Sequence, residues 1–218
     1  MSKIIIVFKN KLESTDTILP ICHELYKKKK ILFFCDNLQH QKILDQNIFL
    51  KDTIKSLGRL IPIKKSTNKF INYFYIFHFI IILLFELINN SKIIHFGKID
   101  IWPFNLLNYF FSKNIIFSQS SSYYDERMKL KSKIYNIKIN RKTSSGNIIT
   151  FNKNFLNEFE DIKNKKIFLC EPPRLKKNWV NHIIKSSELY LSKFHKDIKS
   201  NEKYIVLPIS SLNMEKFL

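Results

Sequence analysis

One apolar run, FINYFYIFHFIIILLFELI at residues 70–88, constrains this chain more than any other stretch. Roughly 20 mostly apolar residues suffice to cross about 30 Å of bilayer hydrocarbon. The run has that length, yet it carries Asn72, His78 and Glu86. Polar groups in hydrocarbon are costly unless partnered. Three readings are open: a helix buried at the centre of an α/β domain, a helix lying in a membrane surface, and a true span. The flanking sequence arbitrates.

Short, β-branched apolar runs occur at 3–8, 31–35, 57–63, 92–96, 114–117, 147–151, 166–170 and 204–209. Their length and continuity are those of buried parallel strands, although Gly58 and Pro62 weaken the third. Helical patterns fill the gaps. Ser14 or Thr15 can cap a helix to about residue 28, with Ile18, Ile21, Cys22 and Leu25 on one face and Pro20 forcing a kink or a later start. Residues 38–46, 102–112 (with Pro103 in the first turn), 125–135, 153–161 and 178–194 are also expected as helix. Residues 48–55 are ambiguous, and 138–146 are expected as an exposed basic loop.

Strand and helix alternate throughout, which predicts an α/β fold: an open, mostly parallel, Rossmann-like sheet with helices on both faces. A parallel pair needs a crossover, and a central crossover helix can be apolar nearly all round. Residues 70–88 are therefore expected as a buried crossover helix, with Asn72, His78 and Glu86 finding partners or reaching an end, Glu86 as a charge that reaches solvent. The long helix at 178–194 and the strand at 204–209 suggest a linking helix and the first strand of a largely missing second domain. The expected division is 1–175, a linker at 176–202, and 203–218.

The formal net charge is +19, but only four of the 37 basic residues are Arg. The chain has no Ala and is crowded with Ile, Asn, Phe and Lys, as an AT-rich coding sequence would give. Nucleic-acid sites favour the bidentate Arg fork, so no nucleic-acid partner is expected. A Lys-rich surface suits anionic lipid heads or phosphorylated substrates. Cys22, Cys35 and Cys170 are odd in number, lack a CxxC and lie in apolar patterns, as buried reduced thiols do. The N-terminus opens on a strand without a secretory pattern. The expected location is the cytoplasm, at the inner face of the membrane.

With three glycines in all, the chain has no GxGxxG and no phosphate-binding P-loop. It also lacks HExxH, GxSxG and paired metal-ligand spacing, so neither metal nor cofactor is expected. Ligands of open parallel sheets bind beyond the strands' carboxyl ends. The residues there are Lys9, Asn10 and Lys11; His95, Gly97, Lys98 and Asp100; Ser118, Gln119, Ser120, Ser121, Ser122 and Tyr123; Glu171 and Arg174; and Ser210 and Ser211. His95 suits a general base near neutral pH, or else a satisfied core histidine. Asp100 suits a group that orients the base or binds a sugar hydroxyl, or else a helix cap. The serine run offers hydroxyls and N–H groups to a hydroxylated or phosphorylated ligand, or is a plain loop. Lys9 and Lys11 suit a phosphate, or are solvated surface.

The segment NIITFNKNFLNEFEDIKNKKIFLCEPPRLKKNW, 147–179, resembles part of bacterial surface-polysaccharide glycosyltransferase-like proteins with two Rossmann-like domains, the GT-B kind. The marks are Pro172, Pro173, Arg174, Leu175 and Trp179, followed by a strand, KYIVLPISS, that looks like the start of that family's donor-binding domain. The resemblance implies transfer of a sugar from a nucleotide-activated donor to a glycan or lipid-linked acceptor. On this reading the residues at the strand ends take roles: His95 and Asp100 are the expected catalytic groups, and Lys9, Asn10, Lys98, Ser118, Gln119, Ser120 and Tyr123 the expected acceptor-side residues. Arg174, Ser210 and Ser211 fall on the donor side. Nearly the whole donor domain is missing, so the chain is expected to be incomplete as a catalyst or to pair with a separate donor-domain chain. The other readings are a non-catalytic α/β binding or assembly protein peripheral to the membrane, and a protein spanning once at 70–88.

Overall fold

In the computed structural model, the described residues are 2–8, 12–35, 42, 44–62, 64, 66–119 and 142–194. Seven strands, β1 (Ile4–Val7), β2 (Ile31–Cys35), β3 (Gly58–Pro62), β4 (Lys92–His95), β5 (Ile115–Ser118), β6 (Asn147–Thr150) and β7 (Lys166–Leu169), pair in parallel in the order β3-β2-β1-β4-β5-β6-β7. All seven lie within a residue or so of the runs expected from sequence. The expected strand at 204–209 and helix at 125–135 lie outside the described residues, as does most of the helix at 38–46.

Alternation along the strands builds two cores. Ile4, Ile6 and Phe8 face one way, joining Phe33, Ile94 and the helices α1 (Leu12–Leu25) and α2 (Ile48–Leu57). Ile5 and Val7 face the other way, joining Phe34, Ile93, Ile115 and the helices α3 (Lys69–Ile88) and α4 (Asn105–Phe111). The inner strands are thus buried on both faces, which is why they are continuously apolar rather than alternating, while the edge strands β3 and β7 are more exposed. Pro20 lies inside α1 without ending it; the buried Ile18, Leu19 and Cys22 pin both sides of the proline to the sheet. The ambiguous stretch after residue 47 is helical, opened by Asn47, whose Oδ1 accepts from Leu50 N at 3.0 Å. At 102–112 the helix opens only at Asn105, two residues past the expected Pro103 turn.

The first compact unit comprises Met1–His182 and the second Ile183–Leu218. Helix α5 (Lys177–Phe194) begins in the first, where Trp179 is buried in the core beside α1 and α2. In the second, Ser187 Oγ donates to Ile184 O at 2.7 Å. The expected second-domain strand lies outside the described residues.

Helix α3 departs from expectation. It is the crossover from β3 to β4, capped by Asn68, whose Oδ1 accepts from Phe70 N at 2.9 Å. It is not buried all round: Phe79, Leu83, Glu86 and Leu87 are buried against the sheet, while Phe70, Tyr73, Phe74, Phe77, Ile81, Phe85 and Ile88 are exposed. At 100° per residue the two sets occupy opposite sides of the helix. A helix laid on a sheet has one face to bury, and among the described residues no second layer covers the other. Glu86 also differs. It does not reach solvent but accepts from Lys3 Nζ at 2.5 Å and from Ser91 Oγ at 3.0 Å. His78, expected as a structural residue of a buried helix, is exposed.

Candidate functional site

The strand order reverses between β1 and β4, so the crevice such sheets use for ligands lies at the carboxyl ends of those strands. Three polar clusters surround this edge, and each is largely closed upon itself.

The first holds His95 and Asp100. His95 ends β4 and is fully buried. Its Nδ1 accepts from Gly97 N at 3.0 Å and Ile99 N at 3.4 Å, so the ring proton sits on Nε2 and points to Ser145 Oγ at 2.7 Å. The turn that supplies those N–H groups needs Gly97, whose φ of 105° is a left-handed conformation that side chains avoid. Ser145 Oγ donates to Asn108 Oδ1 at 3.3 Å. Asn108 Nδ2 in turn donates to Ile99 O at 3.1 Å and lies 3.4 Å from Asp100 Oδ1. Asp100 Oδ1 also accepts from Thr143 Oγ1 at 3.0 Å and Ser144 N at 3.2 Å. The structure therefore brings His95 and Asp100 into one network, but the network seals α4 and the segment 142–145 to the sheet. Burial holds the imidazole neutral, with its pKa pushed down to about 3. A general base near neutral pH needs a free lone pair, and His95 has none; the geometry is that of a satisfied core histidine. Burial raises the Asp100 carboxyl, opposed by its bonds to Thr143 and Ser144.

The second cluster joins β5 to β6. Gln119 is fully buried, and its Oε1 accepts from Phe151 N at 3.0 Å and from Thr150 Oγ1 at 2.7 Å. Ser118, also fully buried, donates to Gln119 O at 3.3 Å. Both expected acceptor residues face inward rather than lining an open site.

The third clamps α1 to the 3-10 turn Pro173–Leu175. Arg174 Nε pairs with Asp16 Oδ2 at 3.0 Å, and Nη2 donates to Thr17 Oγ1 at 3.0 Å. Lys98 packs its ammonium 5.2 Å from the centre of the Phe104 ring. Lys9, Asn10, Lys11, Ser120, Ser121, Ser122, Tyr123, Ser210 and Ser211 lie outside the described residues.

Open space at the carboxyl edge is found elsewhere. An apolar cleft of about 430 Å3 lies where β3 leads into α3, walled by Phe34, Ile61, Phe74 and Phe79 and reached by Lys64 and His78. A shallower one of about 480 Å3 lies past β6 and β7, between Asn152 and Cys170. Cys170 is a weak nucleophile there, because burial raises its thiol pKa. A basic cleft of about 650 Å3, lined by Lys27, Lys28, Lys29, Lys30 and Arg59, lies at the amino ends of β2 and β3. Among the described residues no group of three or more His, Cys, Asp or Glu is placed to hold a metal ion.

Sequence reasoning missed Asn108 and Ser145, the central links of the His95 network. No local pattern marks them, because their partners are 9 to 50 residues away. It also missed the cleft, whose walls come from β2, β3 and α3. No protein-family model, curated protein or solved structure matches the chain.

Proposed function

We propose that this chain is the acceptor-side part of a glycosyltransferase-like protein, one that holds a lipid-linked or glycan acceptor while a sugar is transferred from a nucleotide-activated donor. The observation that supports this reading best is the apolar cleft at the carboxyl edge, with Lys64 and His78 on its lining. Apolar walls with a lysine ammonium and an imidazole beside them suit a lipid chain that carries a phosphate. The reversed strand order nearby and the resemblance at 147–179 favour the same reading. The donor and the reacting groups would come from outside the described residues or from a separate donor-domain chain.

A second reading, a non-catalytic α/β binding protein, is favoured by one observation: His95 and Gln119 spend their polar groups inside the fold, and Arg174 is tied to α1. Two measurements on the full chain separate the readings. Vesicles of fixed lipid composition, with and without a lipid-linked saccharide, should differ in how much chain they retain; equal retention would remove the acceptor role. Addition of nucleotide sugars should then give transfer only with a donor-domain partner. Turnover by the chain alone would rule out the non-catalytic reading.

A further inference from the structure

We infer that the outer face of α3 and α4 is a membrane-docking surface that inserts into the interface of an anionic bilayer. The inference stands on this face alone and not on the glycosyltransferase reading.

Both helices pack on the same side of the sheet, where Phe79 of α3 meets Phe104 beside α4 at 5.5 Å between ring centres. Their outer sides therefore turn away from the same core. Phe70, Phe74, Phe77 and Phe85 are 85%, 75%, 61% and 64% exposed. At about 200 Å2 per side chain, these four alone show roughly 550–600 Å2 of apolar surface. That equals the largest patch of an ordinary monomer before any other residue is counted. Tyr73, Ile81 and Ile88 extend it along α3, and Trp102, Tyr109 and Phe110 extend it across α4.

The chemistry selects the occupant. Trp and Tyr, with an apolar ring and a polar tip, favour the headgroup level of a bilayer. Between residues 64 and 119 the chain has six lysines and two acids, Glu86 and Asp100. Both acids are turned inward, Glu86 onto Lys3 and Ser91, Asp100 onto Thr143 and Ser144. The described lysines that flank the two helices along the chain are Lys64, Lys69, Lys92, Lys98 and Lys113, with no outward carboxylate among the described residues of 64–119. An apolar face flanked by lysine matches anionic headgroups over an acyl boundary. A second copy of this chain would set lysine against lysine, which disfavours self-docking. The helix lies on the membrane rather than across it, since its other face is sealed to the sheet by Phe79, Leu83 and Leu87.

The two tryptophans supply the test. Trp102 is 71% exposed and Trp179 is 1% exposed, so a vesicle-dependent change in emission reports Trp102. The full chain is mixed with phosphatidylcholine vesicles, with and without phosphatidylglycerol, and binding is read by co-sedimentation and by Trp102 emission. The expected result is binding that requires phosphatidylglycerol, is weakened but not abolished by salt, and shifts emission to the blue. Phe77→Ser and Phe85→Ser should each weaken it by roughly tenfold, from the lost apolar contact. These side chains are outside the core, so the far-ultraviolet circular dichroism should stay unchanged. Binding abolished by salt, with no emission shift and no effect of Phe77→Ser, would overturn the inference. So would a face-dependent dimer without vesicle binding, or Trp102 shielded from a soluble quencher in the free chain.

Discussion

At the residue scale, the most informative side chain is His95. Its neighbours Ile94 and Phe96 made it look like either a base or a core histidine, and the choice could not be made from sequence. What decides it is the pair of N–H groups from Gly97 and Ile99 on Nδ1 and the Ser145 hydroxyl at Nε2. The folded pKa is about 3 against an ordinary 6.5. Between those values the unfolded chain binds a proton that the folded chain does not. Stability contributed by this group is therefore complete above pH 6.5 and falls as pH drops, by up to about 1.4 kcal/mol per pH unit. His182, whose pKa is lowered by burial and by His23 nearby, acts in the same direction. Asp100, raised by burial, acts in the opposite direction just above its ordinary range. Urea midpoints measured from pH 7 to pH 4 should fall steadily in the parent. In His95→Gln the whole curve should lie lower and its slope should be shallower. An unchanged slope would mean that His95 is not buried neutral.

At the element scale, the sheet was legible because seven apolar runs of four to six residues leave few alternatives once helical patterns separate them. Gly58 shows where that reading lacked a reason. In the sequence it weakens the third strand, yet a Cβ there would stand 2.3 Å from Ile31 O. The glycine lets β3 start directly beside β2, in register with Ile31. Gly58→Ala would push backbone against backbone, at a cost of roughly 1–3 kcal/mol. Chemical denaturation should show that loss with the spectrum of the native state retained; a neutral substitution would mean that β3 does not approach β2 as described. Helix α3 was legible as an element and illegible as a surface. Apolar residues on both of its sides erase the periodicity that normally tells which side is inside. Only the placement of the sheet under Phe79, Leu83 and Leu87 assigns one face to the core.

At the scale of the whole molecule, the expected burial of the cysteines holds for Cys22 and Cys35, while Cys170 is half-buried. His95 and Asp100 share a network that helps to close the fold, because side chains drawn from a buried sheet end find their first partners in the packing around them. The polar groups of such a site are legible from sequence as types, but not their accessibility. Two of the surfaces that the fold leaves open are apolar: the cleft past β3 and the outer face of α3 and α4. The account depends most on α3 having one sealed and one open side. Single cysteines placed at Phe77 and at Leu83, in a Cys170→Ser background, test this by maleimide labelling of the folded chain. The account predicts fast labelling at position 77, protection at 83, and loss of labelling at 77 when anionic vesicles are added. Protection at position 77 in the free chain would contradict it.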